Sequence, residues 1–233
     1  MMNNPLGTSP GQVGVRPATT AGQQFLVHAF AWMFAGLLLT AGVSAVVQSS
    51  GTLTTFAARN FLLLFFGQLA LVFVISGAIR RLNATLALGL FFLYAATLGL
   101  TVGLIVQLYT KGSVTVAFLS SSAMFGAAAL YGATTKRSLA GLAGILFMGL
   151  IGLLVAIVVN LFLQSSAVSW VISLVGVVIF TALTAFDVQR IQSGTLVSSV
   201  GSVEKAAVVG ALQLYLDFIN LFLFLLRLTG GRR

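Results

Sequence analysis

The sequence predicts an all-α membrane protein with seven transmembrane helices. Of its 233 residues, 59% are hydrophobic and only 6% are charged, and the mean hydropathy is +1.10. Soluble domains carry about 25% charged residues, so this composition excludes a soluble globular protein. The apolar residues are gathered into seven long segments, each close to the roughly 20 residues that a helix needs to cross a bilayer.

Residues 1–24 precede the first apolar segment and contain all three prolines of the chain, Pro5, Pro10 and Pro17. Their polar composition predicts a flexible tail. The tail lacks the basic start and the cleavage site of a signal peptide, and the apolar segment after it is too long for one. Residues 25–230 are then expected to form one transmembrane domain.

The seven apolar segments alternate with short connections. They are placed near 25–47, 61–79, 84–106, 114–133, 139–163, 168–189 and 206–228. None of them contains proline, so no kink from that source is expected. The longest connection between segments, residues 192–205, is rich in Ser and Gly, and Ser202 is a plausible N-cap that places Glu204 in the first turn of the last helix.

Small residues recur at a spacing of four, which brings them to one side of a helix. The pairs are Gly99 and Gly103, Ala128 and Gly132, and Ala140 and Gly144. In lipid such pairs allow two helix backbones to approach closely. We therefore expect these positions to face neighbouring helices.

Lysine and arginine residues in the connections predict the orientation. Connections on the N-terminal side carry seven of them, and those on the opposite side carry two before the last segment. The seven are Arg16, Arg80, Arg81, Lys136, Arg137, Arg190 and Lys205, and the two are Arg59 and Lys111. Because positively charged loops stay in the cytoplasm, the N-terminus is predicted to be cytoplasmic.

Arg227, Arg232 and Arg233 leave two alternatives for the last segment. Seven full crossings place these three residues outside, so the N-terminal side carries seven basic residues and the opposite side five. A re-entrant last segment places them inside, with ten basic residues on the N-terminal side and two on the opposite side. The positive-inside rule favours this larger difference. We favour seven crossings because the segment is long enough to span the bilayer.

The last apolar stretch, from Gly210 to Arg227, carries an acid at its middle, Asp217. An ionisable group at that depth costs roughly 2.5–3.5 kcal/mol to insert, so it is expected to face protein, water or a partner. Gln213, Asn220 and Arg227 fall on the same helical face, and the other faces are Leu, Phe and Ile. This pattern predicts the inner helix of the bundle, with its polar stripe turned inward.

Asp187 is the only other acid within an apolar segment. The sixth and seventh segments are antiparallel neighbours, so Asp187 and Asp217 are expected in the cytoplasmic half of the membrane, with Asp217 deeper. Two carboxyl groups in contact at low dielectric share one proton, because both cannot ionise cheaply. The pair would tie the helices together when protonated, and would repel or bind a hard cation such as calcium when ionised.

A structural alternative exists for each aspartate. Asp187 could simply pair with Arg190, three residues later, and either aspartate could pair with an arginine or cap a helix end. Arg80 and Arg81, at the end of the second segment, are typical topology anchors. One of them could instead reach the aspartates and offset their charge.

Composition also excludes several classes of function. The chain has no cysteine and one histidine, His28, so thiolate chemistry and an HExxH zinc site are excluded. The net charge of +9 is scattered between apolar segments, which argues against a nucleic-acid-binding surface. Aspartyl intramembrane proteases show GxGD and a later Pro-Ala-Leu segment, whereas here the second aspartate lies in LYLD. Neither enzymatic activity nor a cofactor is therefore expected.

Three stretches resemble the Bax inhibitor-1 family, also called the transmembrane Bax inhibitor motif family. LYLDFINLFLFLLR (214–227) resembles the signature of its last helix, and GVVIFTALTAFDVQRIQ (176–192) resembles its GxxxFxxxxxxDxQ pattern. YGATTKRSL (131–139) is similar to the exit of its fourth helix. The resemblance covers roughly residues 25–230, and the tail is similar to that of bacterial members.

The resemblance implies a seventh helix that is central and wrapped by the other six. It also implies a pH-sensitive calcium leak whose di-aspartyl sensor corresponds to Asp187 and Asp217, with a basic residue on the second helix, Arg80 or Arg81, that locks the pair. Gln213 and Asn220 are expected to support the latch from the polar stripe. One departure is Phe186, where many relatives carry Tyr, which removes one hydrogen bond.

A second function of a different class stays open. Bacterial relatives of this kind include a modulator of the membrane protease FtsH, so the chain could instead be an interaction protein that restrains such a protease. The aspartates would then be purely structural. On either view the expected location is the bacterial inner membrane.

Overall fold

A computed structural model describes the backbone of residues 17–231 and the side chains of residues 24–231. Within these residues the chain forms nine α-helices and one turn of 3-10 helix, Ala140–Leu142. The helices are α1 (Pro17–Ser49), α2 (Gly51–Arg59), α3 (Phe61–Ala78), α4 (Ala84–Val106), α5 (Lys111–Thr134), α6 (Ala143–Leu163), α7 (Ser166–Gln192), α8 (Thr195–Val200) and α9 (Val203–Thr229).

Seven of these helices are long and apolar enough to cross a membrane, which confirms the predicted segments. They are α1, α3, α4, α5, α6, α7 and α9. The largest difference in boundaries is at α1, which begins at Pro17 rather than near residue 25. Proline suits the first position of a helix because its fixed φ is already helical and its missing N–H would be unpaired there. Residues 17–24 are thus helical, and the rest of the predicted tail lies outside the described residues.

Two short helices lie in connections that were expected to be loops. The hydroxyl of Ser50 caps the start of α2 by accepting a hydrogen bond from the N–H of Leu53 at 3.4 Å. α8 is bounded by Gly194 and Gly201, whose φ angles of 74° and 82° are accessible to glycine without steric cost. Both helices are too short to give a periodic signal in the sequence.

The predicted N-cap of the last helix is confirmed. The hydroxyl of Ser202 accepts a hydrogen bond from the N–H of Lys205 at 3.4 Å, and Glu204 lies in the first turn of α9. Gly201 ends the preceding helix directly before this cap. The start of α9 is therefore fixed by local chemistry, independently of the membrane.

α9 is the most buried of the seven long helices, and its main neighbours are α1, α4, α5, α7 and α8. α3 packs mainly on α4, and α6 packs mainly on α7, so neither makes more than minor contact with α9. Enclosure of α9 by all six other helices is therefore not confirmed. The outer helices expose large apolar side chains, such as Phe73 on α3 and Phe162 on α6, as a lipid-facing surface requires.

Gly99 and Gly103 face α1, as predicted. A Cβ atom at Gly99 would lie 2.7 Å from the Cβ of Val43, and one at Gly103 would lie 2.9 Å from the Cβ of Val47. Real Cβ atoms do not approach so closely, so glycine is what allows α4 to pack against α1 at this separation.

The other two small-residue pairs behave differently from each other. Gly132 lies against the backbone of Ala185 on α7, so the expected close packing is confirmed there. Ala140 and Gly144 are exposed, and no atom lies near enough to Gly144 to contact an added Cβ. The predicted packing at this last pair is wrong, because small-residue spacing does not distinguish a helix-facing stripe from a lipid-facing one.

Contacts at the two ends of the bundle show that α9 crosses it fully. At one end the guanidinium of Arg80 donates two hydrogen bonds to the carbonyl of Ser199, shortly before α9 begins. At the other end the N–H of Thr110 donates to the carbonyl of Gly231 at 3.1 Å. Because α4 runs between these two turns, α9 starts at the Arg80 end and finishes at the Thr110 end. This favours seven crossings over a re-entrant last segment.

Candidate di-aspartyl site

α9 is buried on every side but one. Between Ala206 and Leu226, only four residues are partly exposed, and they recur at helical spacing: Gln213, Leu216, Asn220 and Leu223. Arg227 continues this stripe and is exposed. The stripe faces the gap beside α6, which is lined by residues of α6, α7 and α9.

The predicted inward orientation of the polar stripe is met at Asp217 and at Oε1 of Gln213, which are buried, and is not met at Arg227, which is exposed. The face of α9 that contains Tyr215 packs into the bundle against α1 and α4, and the polar face borders the least covered side. The helical period identifies the residues that share a face, but it does not identify the neighbour that the face meets. Asp217 itself is still only 4% exposed.

Asp187 and Asp217 line one cavity of about 680 Å³ between α6, α7 and α9. Asp187 lies near the end of α7 and is 7% exposed. Gln213 and Asn220 line the same cavity from α9. The structure thus brings together four of the residues that the sequence selected.

Two oxygen atoms in this cluster have no hydrogen-bond partner within the described residues. They are Oδ2 of Asp217 and Oε1 of Gln213, and both are buried. The two residues are one helical turn apart on α9, so their acceptors lie on the same side. Buried polar atoms are nearly always paired, because desolvating them without a partner is costly. The pair of orphaned acceptors therefore indicates a place for a proton, a water molecule or a cation.

Asn220 and Arg190 complete the polar part of the lining. The Asn220 side-chain amide donates to the carbonyl of Leu216 at 2.8 Å, which leaves its oxygen as the group available to the cavity. Arg190 lies one turn beyond Asp187 on α7, and its positive charge acts on the Asp187 carboxylate. Arg190 is the residue with which Asp187 was expected to pair if its role is only structural.

Arg80 and Arg81 lie outside the aspartate cavity. The guanidinium of Arg80 is engaged with the carbonyl of Ser199, at 2.9 and 2.7 Å, and its own carbonyl accepts from Nζ of Lys205 at 3.2 Å. Arg81 is exposed in the same turn. These contacts connect the α3–α4 turn to α8 and to the first turn of α9, so Arg80 contacts the start of this region rather than the carboxylates.

The chemical capacity of the cavity follows from its donor atoms. Two carboxylates and two side-chain amides supply oxygen ligands only, the set that a hard cation such as calcium prefers. The carboxylates can also hold a proton. Proton and cation would compete for the same oxygen atoms, since a protonated carboxyl is a poor cation ligand.

A separate cavity of about 340 Å³ lies on the other side of α9, and the sequence analysis did not anticipate it. Thr40, Ser44 and Gln48 line it from α1 at four-residue spacing. The four-residue spacing of these polar side chains could have indicated the cavity. Hydroxyl groups in apolar helices, however, often bond only to their own backbone. Here Thr40 donates to the carbonyl of Ala95 on α4 at 2.8 Å and lies 2.5 Å from the Tyr215 phenol.

Residues 22–233 match the model of the family described as inhibitor of apoptosis-promoting Bax1. The chain belongs to the Bax inhibitor-1 family. The resemblance of its last helix and of its sixth segment to that family is thereby confirmed, and so is an integral membrane protein with transmembrane helices.

Several bacterial proteins are similar over nearly the whole chain. The inner membrane protein YbhL of Escherichia coli K12 is 43% identical over 217 residues, which cover 91% of this chain and 93% of that protein. An uncharacterized protein of Borreliella burgdorferi is 40% identical over 215 residues, covering 90% and 93%. An uncharacterized protein of Deinococcus radiodurans is 42% identical over 209 residues, covering 89% and 90%.

Proposed function

We propose that this Bax inhibitor-1 family protein is a pH-sensitive calcium leak in which Asp187 and Asp217 form a proton-operated latch. One observation carries the proposal: Oδ2 of Asp217 and Oε1 of Gln213 are buried and have no hydrogen-bond partner among the described residues, in a cavity that Asp187 also lines. A carboxylate can be satisfied by a proton, and both oxygens can be satisfied by a hydrogen-bond donor or a cation.

The latch works through the exchange of one proton. With one proton on the pair, a carboxyl group donates to the other carboxylate and connects α7 with α9. When that proton leaves, two negative charges remain in an apolar cavity, and they repel each other unless a cation lies between them. Calcium then binds to the carboxylate oxygens, with the Gln213 and Asn220 oxygens as further ligands.

The exchange of the proton opens a path for calcium on the side of α9 that is next to α6. α6 packs on α7 and makes only minor contact with α9, so the cavity is closed by few contacts on that side. Repulsion between Asp187 and Asp217 widens the same gap. The opposite side of α9 is held to α1 through Tyr215, so opening there is opposed.

The proposed location is the bacterial inner membrane, on the strength of the printed name of the E. coli relative. Because α9 crosses fully, seven basic residues lie on the side of the N-terminus and five on the opposite side. This difference still favours a cytoplasmic N-terminus. The aspartate cavity then lies in the cytoplasmic half of the membrane, since it is nearer to the Arg80 end of the bundle.

The alternative of an interaction protein that restrains a membrane protease such as FtsH stays a prediction. No contact of the described residues bears on such a partner. The expectation that the chain is not an enzyme also stays a prediction.

The test is calcium flux into liposomes that contain the purified protein, measured over a range of external pH. Wild type should carry calcium at a rate that depends on pH, and Asp217→Asn should remove that dependence. Glu204→Gln is the matched control, because it removes the only acid outside the cavity, at an exposed position, and it should keep the wild-type profile. Wild-type flux no faster than that of protein-free liposomes would contradict the leak itself.

A further inference from the structure

A cavity of about 450 Å³ lies at the start of α6, beside the aspartate cavity. Three basic side chains line it: Lys136, Arg137 and Arg190. None of the three acids of the chain lines this cavity, and only Arg190 has an acid nearby, Asp187 in the adjoining aspartate cavity. An excess of positive charge in a recess favours an anionic ligand.

Gln189 holds this basic group together. Its side-chain amide donates to the carbonyl of Arg137 at 2.9 Å, and its side-chain oxygen accepts from the N–H of Leu139 at 2.7 Å. These two bonds fasten the α5–α6 connection to α7. Lys136 and Arg137 are thereby kept next to Arg190, which is one residue after Gln189.

The start of the sixth transmembrane segment adds to the attraction for an anion. The hydroxyl of Ser138 accepts a hydrogen bond from the N–H of Ala140 at 3.3 Å, but α6 itself begins without a side-chain cap. Ser138 and Ala140 at this start both line the cavity. Helix N-termini carry a partial positive charge and N–H groups that favour phosphate oxygens.

The basic cavity continues into an apolar slot. Ala143, Phe186 and Arg190 line both this cavity and the aspartate cavity, so the two spaces adjoin. Beyond Ala143 the wall is formed by Leu146 and Phe147 of α6, and Phe147 is exposed toward the lipid-facing side. A charged recess at the end of the bundle therefore leads into an apolar slot at membrane depth.

We infer that this composite site binds an anionic phospholipid. Its phosphate group lies among Lys136, Arg137 and Arg190, and the upper part of an acyl chain lies between Ala143 and Phe186. A free phosphate would use only the basic recess, and a zwitterionic lipid would bring the positive group of its neutral headgroup close to the three basic side chains. The site adjoins the aspartate cavity and shares Ala143, Phe186 and Arg190 with it, but its ligand goes beyond the proposed function.

The first test compares two lipids with identical acyl chains, phosphatidylglycerol and phosphatidylcholine, titrated onto the detergent-purified full chain and counted by native mass spectrometry. Phosphatidylglycerol should bind roughly tenfold more tightly or better, since the basic residues attract its net negative headgroup. The double variant Lys136→Gln, Arg137→Gln should lose most of this preference. Equal binding of the two lipids to wild type would overturn the inference.

The matched control removes the same charge elsewhere. Arg59→Gln with Lys111→Gln neutralises two exposed basic residues at the opposite end of the bundle. This variant should keep the wild-type preference for phosphatidylglycerol. If both double variants lose the preference equally, the effect reflects net charge and the site is refuted.

The second test separates a lipid from a free phosphate and locates the acyl chain. Glycerol phosphate, which has the headgroup chemistry without the chains, should bind far more weakly than phosphatidylglycerol, and equal binding would refute a lipid site. Ala143→Phe should narrow the slot and weaken phosphatidylglycerol binding at an exposed position of α6. An unchanged affinity in Ala143→Phe, with thermal unfolding like that of wild type, would refute the placement of the chain.

Discussion

The phenol oxygen of Tyr215 lies 2.5 Å from the hydroxyl oxygen of Thr40, and Thr40 in turn donates to the carbonyl of Ala95. Because the Thr40 proton is used in that bond, the phenol is the donor in the first contact. The chain of two bonds connects α9 to α1 and α4 at the centre of the bundle. α9 therefore has one fixed side, at Tyr215, and one less covered side, along Gln213, Leu216 and Asn220.

Tyr215→Phe should destabilise the bundle by about 1 kcal/mol, the usual net value of one buried hydrogen bond. Thermal unfolding in detergent measures the change. Tyr94→Phe is the matched control, since its ring packs edge-on against Tyr215 at 5.8 Å and belongs to the same buried cluster. Equal losses in both variants would show that the loss of any hydroxyl in this buried cluster, rather than of the bond to Thr40, causes the destabilisation.

Gly103→Leu should destabilise the protein by roughly 1–3 kcal/mol or prevent folding, because a side chain there would overlap Val47 and force α4 away from α1. Gly89→Leu is the control on the same helix, at an exposed position with open space around it, and should be tolerated. Thermal unfolding of the two purified variants checks this. Wild-type stability in Gly103→Leu would contradict the close α1–α4 packing.

Arg80→Ala should loosen the connection before α9, because the two hydrogen bonds to Ser199 are lost. Hydrogen exchange of the backbone N–H groups in residues 195–202 should become several-fold faster. Arg81→Ala removes the same charge one residue later, at an exposed position, and should leave the exchange unchanged. If both variants behave alike, the contact between Arg80 and Ser199 does not hold this segment.

Cysteine labelling can test the orientation, since the natural chain contains no cysteine. A membrane-impermeant maleimide applied to intact spheroplasts should label Gly231→Cys and should reach Ser138→Cys only after lysis. Labelling of Ser138→Cys alone would reverse the orientation. Labelling of both residues from outside would contradict the full crossing of α9.

The transmembrane helices could be predicted from the sequence because lipid imposes a simple requirement. About 20 apolar residues are needed to cross, and all seven segments meet it. α2 and α8 were missed because their positions depend on caps and on glycines at positive φ, which a hydropathy pattern does not report. The cap at Ser202 was found because its chemistry is local.

The members of the candidate site could be predicted, but its surroundings could not. Acids are rare in this chain, so Asp187 and Asp217 were evident, and helical spacing added Gln213 and Asn220. The surroundings of the polar stripe depend on which helix α6 packs against. The small residues Ala140 and Gly144 misleadingly predicted close helix packing at positions that are exposed. The distant contact of Arg80 with Ser199 depends on the path of the α8–α9 connection, which sequence spacing does not define.

The most direct test of the latch is the pH dependence of calcium flux in Asp187→Asn, Asp217→Asn and the double variant, reconstituted in liposomes at equal density. Asparagine keeps the shape of the side chain and removes the ionisable group. If the two carboxyls act as one proton-binding unit, each single variant should flatten the pH profile, and the double variant should add little to either. A single variant that keeps the full wild-type pH response would contradict the latch.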